Sequence, residues 1–454
     1  MELAKYNNLV PSDIIEGLDL PEHWRKIRFR HLFTFGRGLG ITKANLKEDG
    51  VPCVNYGEIH STCGFEVNPT IDQLKCVDEI YLETNKNSLL ERGDFVFADT
   101  SEDLEGSGNF TYLNSDDETF AGYHTVIAKL HSDDNPRYLA YLFNSEVFRS
   151  QVRKKVSGVK VYSITQAILK SCYTWSPSLS EQKNIVTFLD KKSEKINDLI
   201  TKNKKVLQKL AEQRLSAISE VITEGLDKNV EFKSVDGGFL GNIPKHWTTR
   251  RLKFHATEQL KYGANEAAEL TDKDLPRYIR ITDVKPDGSL HEHTFRSLEE
   301  NIAEPYLLEP GDILLARSGA TVGKSFIYDS SWGKSAYAGY LIRFRTNPNS
   351  ILAEFAYYYL NSSPYWANIN STLIQATIQN FSAEKYANIL MPEPPLSEQV
   401  EIIEYLKKKL NSIDEMAEKV STAIDQLKAY QAALVNSAVT GQIDLRKTEF
   451  CNGN

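Results

Sequence analysis

Two stretches of this chain, 180–221 and 397–439, run for more than forty residues without a proline or a glycine. In the second, Ile403, Leu406, Leu410, Ile413, Ala417, Val420, Ile424, Leu427, Gln431, Leu434 and Ala438 follow at alternating spacings of three and four, and ten of the eleven are apolar. Moving back 217 positions gives Val186, Leu189, Ser193, Ile196, Ile200, Asn203, Leu207, Leu210, Arg214, Ala217 and Val221, of which eight are apolar. A shared 3-4 register predicts two long helices with a coiled-coil seam. Its positions include Leu189, Ile196, Asn203 and Leu210 on one helix and Leu406, Ile413, Val420 and Leu427 on the other. Each helix is about 65 Å long at 1.5 Å per residue. Both open on Ser-Glu-Gln, a cap oxygen followed by an acid at the positive end of the dipole, and Gly225 and Gly441 follow as stop signals. Asn203 reads either as a register device or as a polar residue near an exposed coil end.

The rest of the chain is patterned differently. Short apolar runs such as Asp94-Phe95-Val96-Phe97-Ala98 and Asp312-Ile313-Leu314-Leu315-Ala316 begin at Gly-Asp turns, the signature of strands and hairpins. Helical stretches follow near 138–152 and 352–359. These segments repeat in order. Leu20-Pro21-Glu22-His23-Trp24 returns as Ile243-Pro244-Lys245-His246-Trp247, and Leu89-Leu90-Glu91-Arg92-Gly93-Asp94 as Leu307-Leu308-Glu309-Pro310-Gly311-Asp312. Ala121-Gly122-Tyr123 returns as Ala338-Gly339-Tyr340, and Pro177-Ser178-Leu179-Ser180-Glu181-Gln182 as Pro394-Pro395-Leu396-Ser397-Glu398-Gln399. Tyr141 with Asn144-Ser145, and Thr223 with Asp227, return likewise. The chain is therefore read as α+β, a tandem duplication of a mixed α/β domain followed by a long helix, with the two helices pairing as an antiparallel coiled coil. The expected divisions are a leader (1–20), a first mixed domain (21–177), a first long-helix segment (178–226), a linker (227–243), a second mixed domain (244–394), a second long-helix segment (395–445) and a tail (446–454). Antiparallel pairing would set one globular domain at each end of a rod.

At 454 residues the chain is long enough for roughly two to four domains. No apolar run of 18 residues marks a membrane span, and the opening Met1-Glu2-Leu3-Ala4-Lys5-Tyr6 lacks a signal core. Cys53, Cys63, Cys76, Cys172 and Cys451 are odd in number and lack framework spacing, which reads as reduced thiols in a cytoplasm. The net charge of −8 argues against a general nucleic-acid binder. Yet Arg137, Arg149, Arg153, Lys154, Lys155, Lys160 and Lys170 face one acid, Glu146, between 137 and 175. That is either a local DNA-facing patch or a solvated helix face.

With the duplicated His-Trp openings, the Gly-Asp-[Ile/Phe]-[Leu/Val]-[Leu/Phe]-Ala strands, the Pro-x-Leu-Ser-Glu-Gln helix starts and the two spacer helices, the sequence resembles the specificity subunits of Type I restriction-modification enzymes over nearly its whole length. The resemblance implies two target-recognition domains, each reading one half of a gapped, asymmetric DNA site. It implies spacer helices that set the gap and bind two methyltransferase subunits, with translocase-nuclease subunits joining that core. It implies a chain that selects double-stranded DNA and catalyses nothing itself, without a cofactor or membrane contact. A modification-only adenine methyltransferase system and a coiled-coil scaffold are the competing readings.

Candidate DNA contacts follow from residue chemistry, since base edges are read by side chains and phosphates are held by cations, hydroxyls and amides. The Gly-rich loop after 312–316 offers Arg317, Ser318, Thr321 and Lys324. Its counterpart in the first half, with Thr100 and Ser101, is acidic and suits cytosine N4 better than phosphate. A second region precedes each helix start, with Lys154, Lys155, Lys160 and Tyr162 in one half and Gln375, Thr377 and Gln379 in the other. A third, weaker pair is Asn55-Tyr56 and Arg280 with Thr282. For each, an ordinary surface role is the competing reading.

Several lookalikes are set aside. Gly319-Ala320-Thr321-Val322-Gly323-Lys324-Ser325 has three residues between its glycines where a phosphate-binding loop needs four. Cys53, His60, Cys63 and Cys76 include no Cys-x-x-Cys pair, so no metal site is expected. Glu181-Gln182-Lys183 loses its lysine in the twin Glu398-Gln399-Val400, and no Asn-Pro carries the proline and aromatic of an adenine methyltransferase. His23-Trp24 and His246-Trp247 read as packing at the start of each domain, with a half-buried indole.

Overall fold

The computed structural model describes residues 4–12, 15, 17–158, 161–236, 239–285, 288–374 and 380–446. The chain divides into two compact units, residues 1–202 with 423–454, and residues 203–422. Each long helix, Leu179–Glu224 and Leu396–Val439, contributes one part to each unit.

In the first unit a five-stranded sheet runs in the order Phe33–Arg37, Thr125–Leu130, Phe95–Ala98, Phe110–Leu113, Phe65–Val67. Its neighbours are antiparallel except the last pair. A second sheet pairs Val51–Val54 with Thr119–Ala121 in parallel. The core between sheet and helices is rich in phenylalanine: Phe29, Phe33, Phe95, Phe97, Phe110, Phe143 and Phe148 are all buried. Their rings approach to 4.5–6 Å between centroids, the range in which aromatic pairs add about 0.5–1.5 kcal/mol each beyond area burial. Helix Pro136–Asn144 starts where Asn135 caps two amides and Pro136 needs no amide partner.

The second unit repeats the plan with aliphatic and tyrosine packing. Its sheet runs Lys261–Tyr262, Leu341–Phe344, Ile313–Ala316, Ser325–Ile327, all antiparallel. Arg277–Ile279 pairs in parallel with Ser335–Tyr337. Ile313, Leu315, Ile342, Phe344, Phe355, Tyr359 and Tyr365 fill the core. The two halves thus repeat the antiparallel pairing on both sides of the central strand with different core residues.

The helices pair antiparallel within each unit. Asn197 meets Gln431 in the first, and Arg214 meets Asp414 at 3.1 Å in the second. Of the expected seam, Leu189, Ile196, Leu210, Leu406 and Ile413 are buried, and Asn203, Val420 and Leu427 are half-buried. Asn203 lies in the middle of its helix, so the coil-end reading does not apply. The helix starts differ from expectation. They begin at Leu179 and Leu396, and in the first it is Ser178, not Ser180, whose hydroxyl accepts from Glu181 N–H.

The duplicated motifs meet each other. Trp24 Nε1 donates to Glu181 at 3.1 Å and Trp247 Nε1 to Glu398 at 2.9 Å. His23 and His246 reach the same carboxylates. Both indoles are fully buried rather than half-buried, because Glu181 and Glu398 satisfy the one polar atom each carries. The glutamines that follow close the next step: Gln182 Oε1 accepts from Asn135 N–H and Gln399 Oε1 from Leu352 N–H, at the starts of the adjoining helices. Gly225 and Gly441 end the long helices at φ 71° and 68°. A side chain at Gly441 would strike Pro21 at 2.3 Å, so this stop also serves as a close packing point.

The leader and the linker are built into the fold. Leu9–Pro11 pairs with Asp19–Pro21, and Phe232–Ser234 with Asn242–Pro244, in the same antiparallel form. Tyr6 is buried with its hydroxyl on Glu181. Each repeat therefore extends upstream of its His-Trp motif.

Candidate nucleic-acid interface

The same backbone frame closes the end of the central strand in each unit. After Ala98, Asp99 N–H donates to His124 O, and after Ala316, Arg317 N–H donates to Tyr340 O. Ala98 N–H reaches Asn109 O and Ala316 N–H reaches Lys324 O across the hairpin. Gly122 N–H reaches Val54 O, and Ala338 N–H reaches Ile279 O. Position by position, Asp99 corresponds to Arg317, Asn109 to Lys324, His124 to Tyr340 and Asn55 to Arg280. Two glycines permit the frame: a Cβ at Gly38 would lie 1.9 Å from Gly122 O, and one at Gly263 2.2 Å from Tyr337 O.

The frame joins regions that are far apart in sequence. Thr100–Ser101 pairs with Tyr162–Ser163, and Ser318 bridges to Asn380. The loop after the central strand and the segment before the long helix, expected as separate contact regions, are therefore neighbours.

In the first unit the frame opens on a cleft of about 760 Å³, lined among others by Tyr56, His60, Thr100, Asp103, Asn109 and His124. His60 spans Thr100 O at 2.8 Å and Asn109 Nδ2 at 2.8 Å. A carbonyl only accepts, so Nε2 carries the hydrogen and Nδ1 takes the amide's. Asn109 Oδ1 in turn accepts from Arg149. His124 sits at φ 56° with its ring 3.2 Å from Asp99, which also accepts from Thr100 Oγ1 at 2.7 Å. Tyr56 stands edge-on to His60, Tyr123 and His124.

In the second unit the corresponding positions carry cations and exposed rings. The Arg317 guanidinium sits over Tyr262 at 4.8 Å, and Nη1 reaches Gly339 O at 3.4 Å. Tyr262 and Tyr340 are exposed, as is Lys324. Ser318 and Thr321 are half-buried beside them. The 319–325 segment is the turn between two antiparallel strands, with a three-residue helical turn at Gly319–Thr321. It opens no α-helix, so it lacks the helix N-terminus on which a nucleotide phosphate loop depends.

Other expected contacts fall elsewhere. Asn55 is fully buried and accepts from Tyr123 N–H at 3.3 Å, so it supports the frame from inside. Ser101 is buried on Asp103 O. Arg280 is held by Asp283 at 2.7 Å and by Thr294 O, while Thr282 is exposed. Lys154 is exposed, Lys155 reaches Ser171, and Tyr162 is half-buried on its strand. Lys160, Gln375, Thr377 and Gln379 lie outside the described residues. The local basic surplus is largely used internally: Arg137 binds Glu66 and Asp190, Arg149 binds Asn109 and Glu105 O, and Arg153 binds Glu146. Tyr262, Tyr340, His60, Asn109 and His124 were not expected. The Gly38 and Gly263 positions were the available signal, since each marks where a strand touches the opposing turn.

Two copies of one domain with different side chains on a single frame define a two-headed recognition protein. The sequence model of the Type I restriction modification DNA specificity domain matches residues 21–209 and 247–426, and the chain belongs to that family. Similar chains include the Type I restriction enzyme StySPI specificity subunit of Salmonella potsdam, 22% identical over 93% of this chain and 90% of that one. The Type I restriction enzyme MjaVIII specificity subunit of Methanocaldococcus jannaschii is 24% identical over 68% of this chain and 71% of that one. A chain solved in work on complex assembly and conformational transition of the type I R-M system superposes with a TM-score of 0.67 at 17% identity, covering 93% of this chain and 99% of that one. This protein is a Type I specificity subunit with two target-recognition domains, a DNA-recognition component rather than a catalytic one. No helix among the described residues is long and apolar enough to cross a membrane.

Proposed function

We propose that the two domains read the two halves of one gapped, asymmetric double-stranded DNA site, each through the frame at the end of its central strand. The observation that carries this is the contrast at matched positions: Asp99, Asn109 and His124 in one domain against Arg317, Lys324 and Tyr340 in the other. Matched backbone frames with unlike contact chemistry select unlike half-sites. The first domain would use Tyr56, Thr100, Lys154 and Tyr162, and the second Thr282, Arg317, Ser318, Thr321 and Lys324. The long helices would hold the domains apart and dock two methyltransferase subunits, to which translocase-nuclease subunits join. Exposed Val206, Leu215, Tyr405, Met416 and Tyr430 give those helices apolar surface for a partner. The buried, unpaired thiols of Cys53, Cys63, Cys76 and Cys172 suit a reducing cytoplasm, where the DNA is.

Mapping of modified adenines across the host genome, with and without this gene, tests the reading. Loss of one two-part motif of fixed gap is expected. An unchanged pattern, or loss of a single palindrome, would overturn it.

A further inference from the structure

Arg317 is held on both sides. Its N–H donates to Tyr340 O at 3.1 Å and its carbonyl accepts from Phe381 N–H at 2.8 Å. The side chain leaves that clamp directly over the exposed Tyr262 ring, which is itself fixed because its hydroxyl accepts from Ala383 N–H at 3.0 Å. Arg277, Arg280, Arg343 and Arg345 of the same unit each hold a carboxylate. Among the described residues the Arg317 side chain holds none, and its one hydrogen bond there is the long contact to Gly339 O. Its Nε is buried without a partner, as is Oδ1 of Asn380, on the segment bridged to Ser318. A planar cation has thus been seated in a fixed orientation, and among the described residues only one of its donors is spent.

We propose that Arg317 is the guanine reader of the second domain, donating from its guanidinium to O6 and N7 of one guanine in that domain's half-site. This rests on the reading that the frame faces DNA. Bidentate donation to a guanine edge needs a fork whose plane is set in advance, and arginine supplies it. A phosphate needs only a positive charge within reach, and the exposed Lys324 on the neighbouring turn fits that role better. In the first domain the corresponding residue is Asp99, engaged by Thr100 and His124. That domain lacks the fork, so the guanine requirement belongs to one half-site.

The test uses the complex of this chain with its methyltransferase subunits and duplexes varied at every position of the site. The unaltered complex must select a two-part motif, and if it selects none the DNA-facing reading and the proposal fall together. With selection established, Arg317→Ala is expected to relax one guanine in one half-site by roughly 5- to 150-fold, with the other half-site and the salt dependence unchanged. Replacing that guanine by 7-deazaguanine should weaken the unaltered complex and cost the Arg317→Ala complex nothing more. Uniform weakening on all sequences, with the salt slope reduced by about one, would assign a phosphate contact and overturn the proposal. Unchanged selectivity would overturn it equally. Arg317→Lys keeps the charge and loses the fork, so it should lose the guanine preference while keeping nonspecific affinity. That variant decides the matter if the alanine variant folds poorly.

Discussion

Arg137 grips Asp190 through Nε at 2.8 Å, and the corresponding pair in the second half has its charges reversed, with Glu354 and Lys407 2.7 Å apart. In each case a residue at the start of the domain's helix meets one on the long helix that follows that domain. Two copies of one domain in one chain carry the hazard of docking on the wrong helix. A misdocked first domain would set Arg137 against Lys407, and a misdocked second domain Glu354 against Asp190. Like charges at such contacts oppose the exchange, a use of charge that specifies partners more than it stabilises them.

Arg137→Glu should therefore lower the unfolding free energy by about 1–3 kcal/mol, since it also strips charged hydrogen bonds from Tyr112 and Glu66. Adding Asp190→Lys should recover part of that loss. A double-mutant cycle in urea measures the coupling, and strictly additive effects would show that the pair does not recognise itself.

Glu181 is the second point of control. It accepts from Tyr6, Trp24 and His23 while 4% exposed, and it sits in the first turn of its helix. Burial, then the bond to Glu181, pushes the Tyr6 hydroxyl far above its usual proton affinity, so it stays protonated and donates. Glu181→Ala leaves two buried donors unpaired and should cost about 2–4 kcal/mol. Glu181→Gln, which keeps an acceptor, should cost less. Equal losses from both variants, read by thermal unfolding, would remove the hydrogen-bond argument.

The second unit carries a pH liability at His255. It is fully buried, with Nδ1 3.3 Å from Ser350 Oγ, and burial lowers its proton affinity below the ordinary 6.5, against a smaller opposing pull from Glu393. Below pH 6.5 the unfolded chain takes a proton that the folded imidazole refuses. This group's contribution is therefore complete above that pH and is lost as pH falls toward the folded value, at no more than about 1.4 kcal/mol per pH unit. The matched position in the first unit is the buried Leu32: its carbonyl accepts from His131 N–H as that of His255 does from Asn347 N–H. His255→Leu should fold and should flatten stability between pH 7 and 5. An unchanged pH profile would place the liability elsewhere.

Much of this was legible in the sequence because it is local or repeated. Heptad spacing, the Gly-Asp strands and the paired motifs survive in the text of the chain. The frame does not, because it is made of backbone. The textual echo pairs Gly122-Tyr123 with Gly339-Tyr340, whereas the hydrogen bonds match Gly122 with Ala338 and His124 with Tyr340. A one-residue displacement of that kind hides which side chains share a position. Asn55 illustrates a second limit: an amide near a strand end looks like a base reader, and only its contact with the Tyr123 N–H, far along the chain, turns it inward. The upstream hairpins were hidden for a third reason, since Leu9–Pro11 and Phe232–Ser234 share register and no residue.

The helix pairing gives the most direct test of the gapped-site reading. Asn197 pairs with Gln431 in the first unit and Arg214 with Asp414 in the second, so removing an equal heptad from each helix between those positions removes none of the four residues. Removing 203–209 from one helix and 419–425 from the other keeps both pairs and lies outside the turns that Leu406 and Leu410 bury. Deleting both shortens each helix by about 10 Å, close to the rise of about three base pairs. Sequencing of modified adenines should then show the two half-sites unchanged and the gap reduced by roughly that number. Removing Lys408–Asp414 alone should instead destabilise the second unit, because Leu410, Ile413 and the Arg214 partner go with it. If the paired deletion folds and changes the half-sites while leaving the gap intact, the helices do not measure the site.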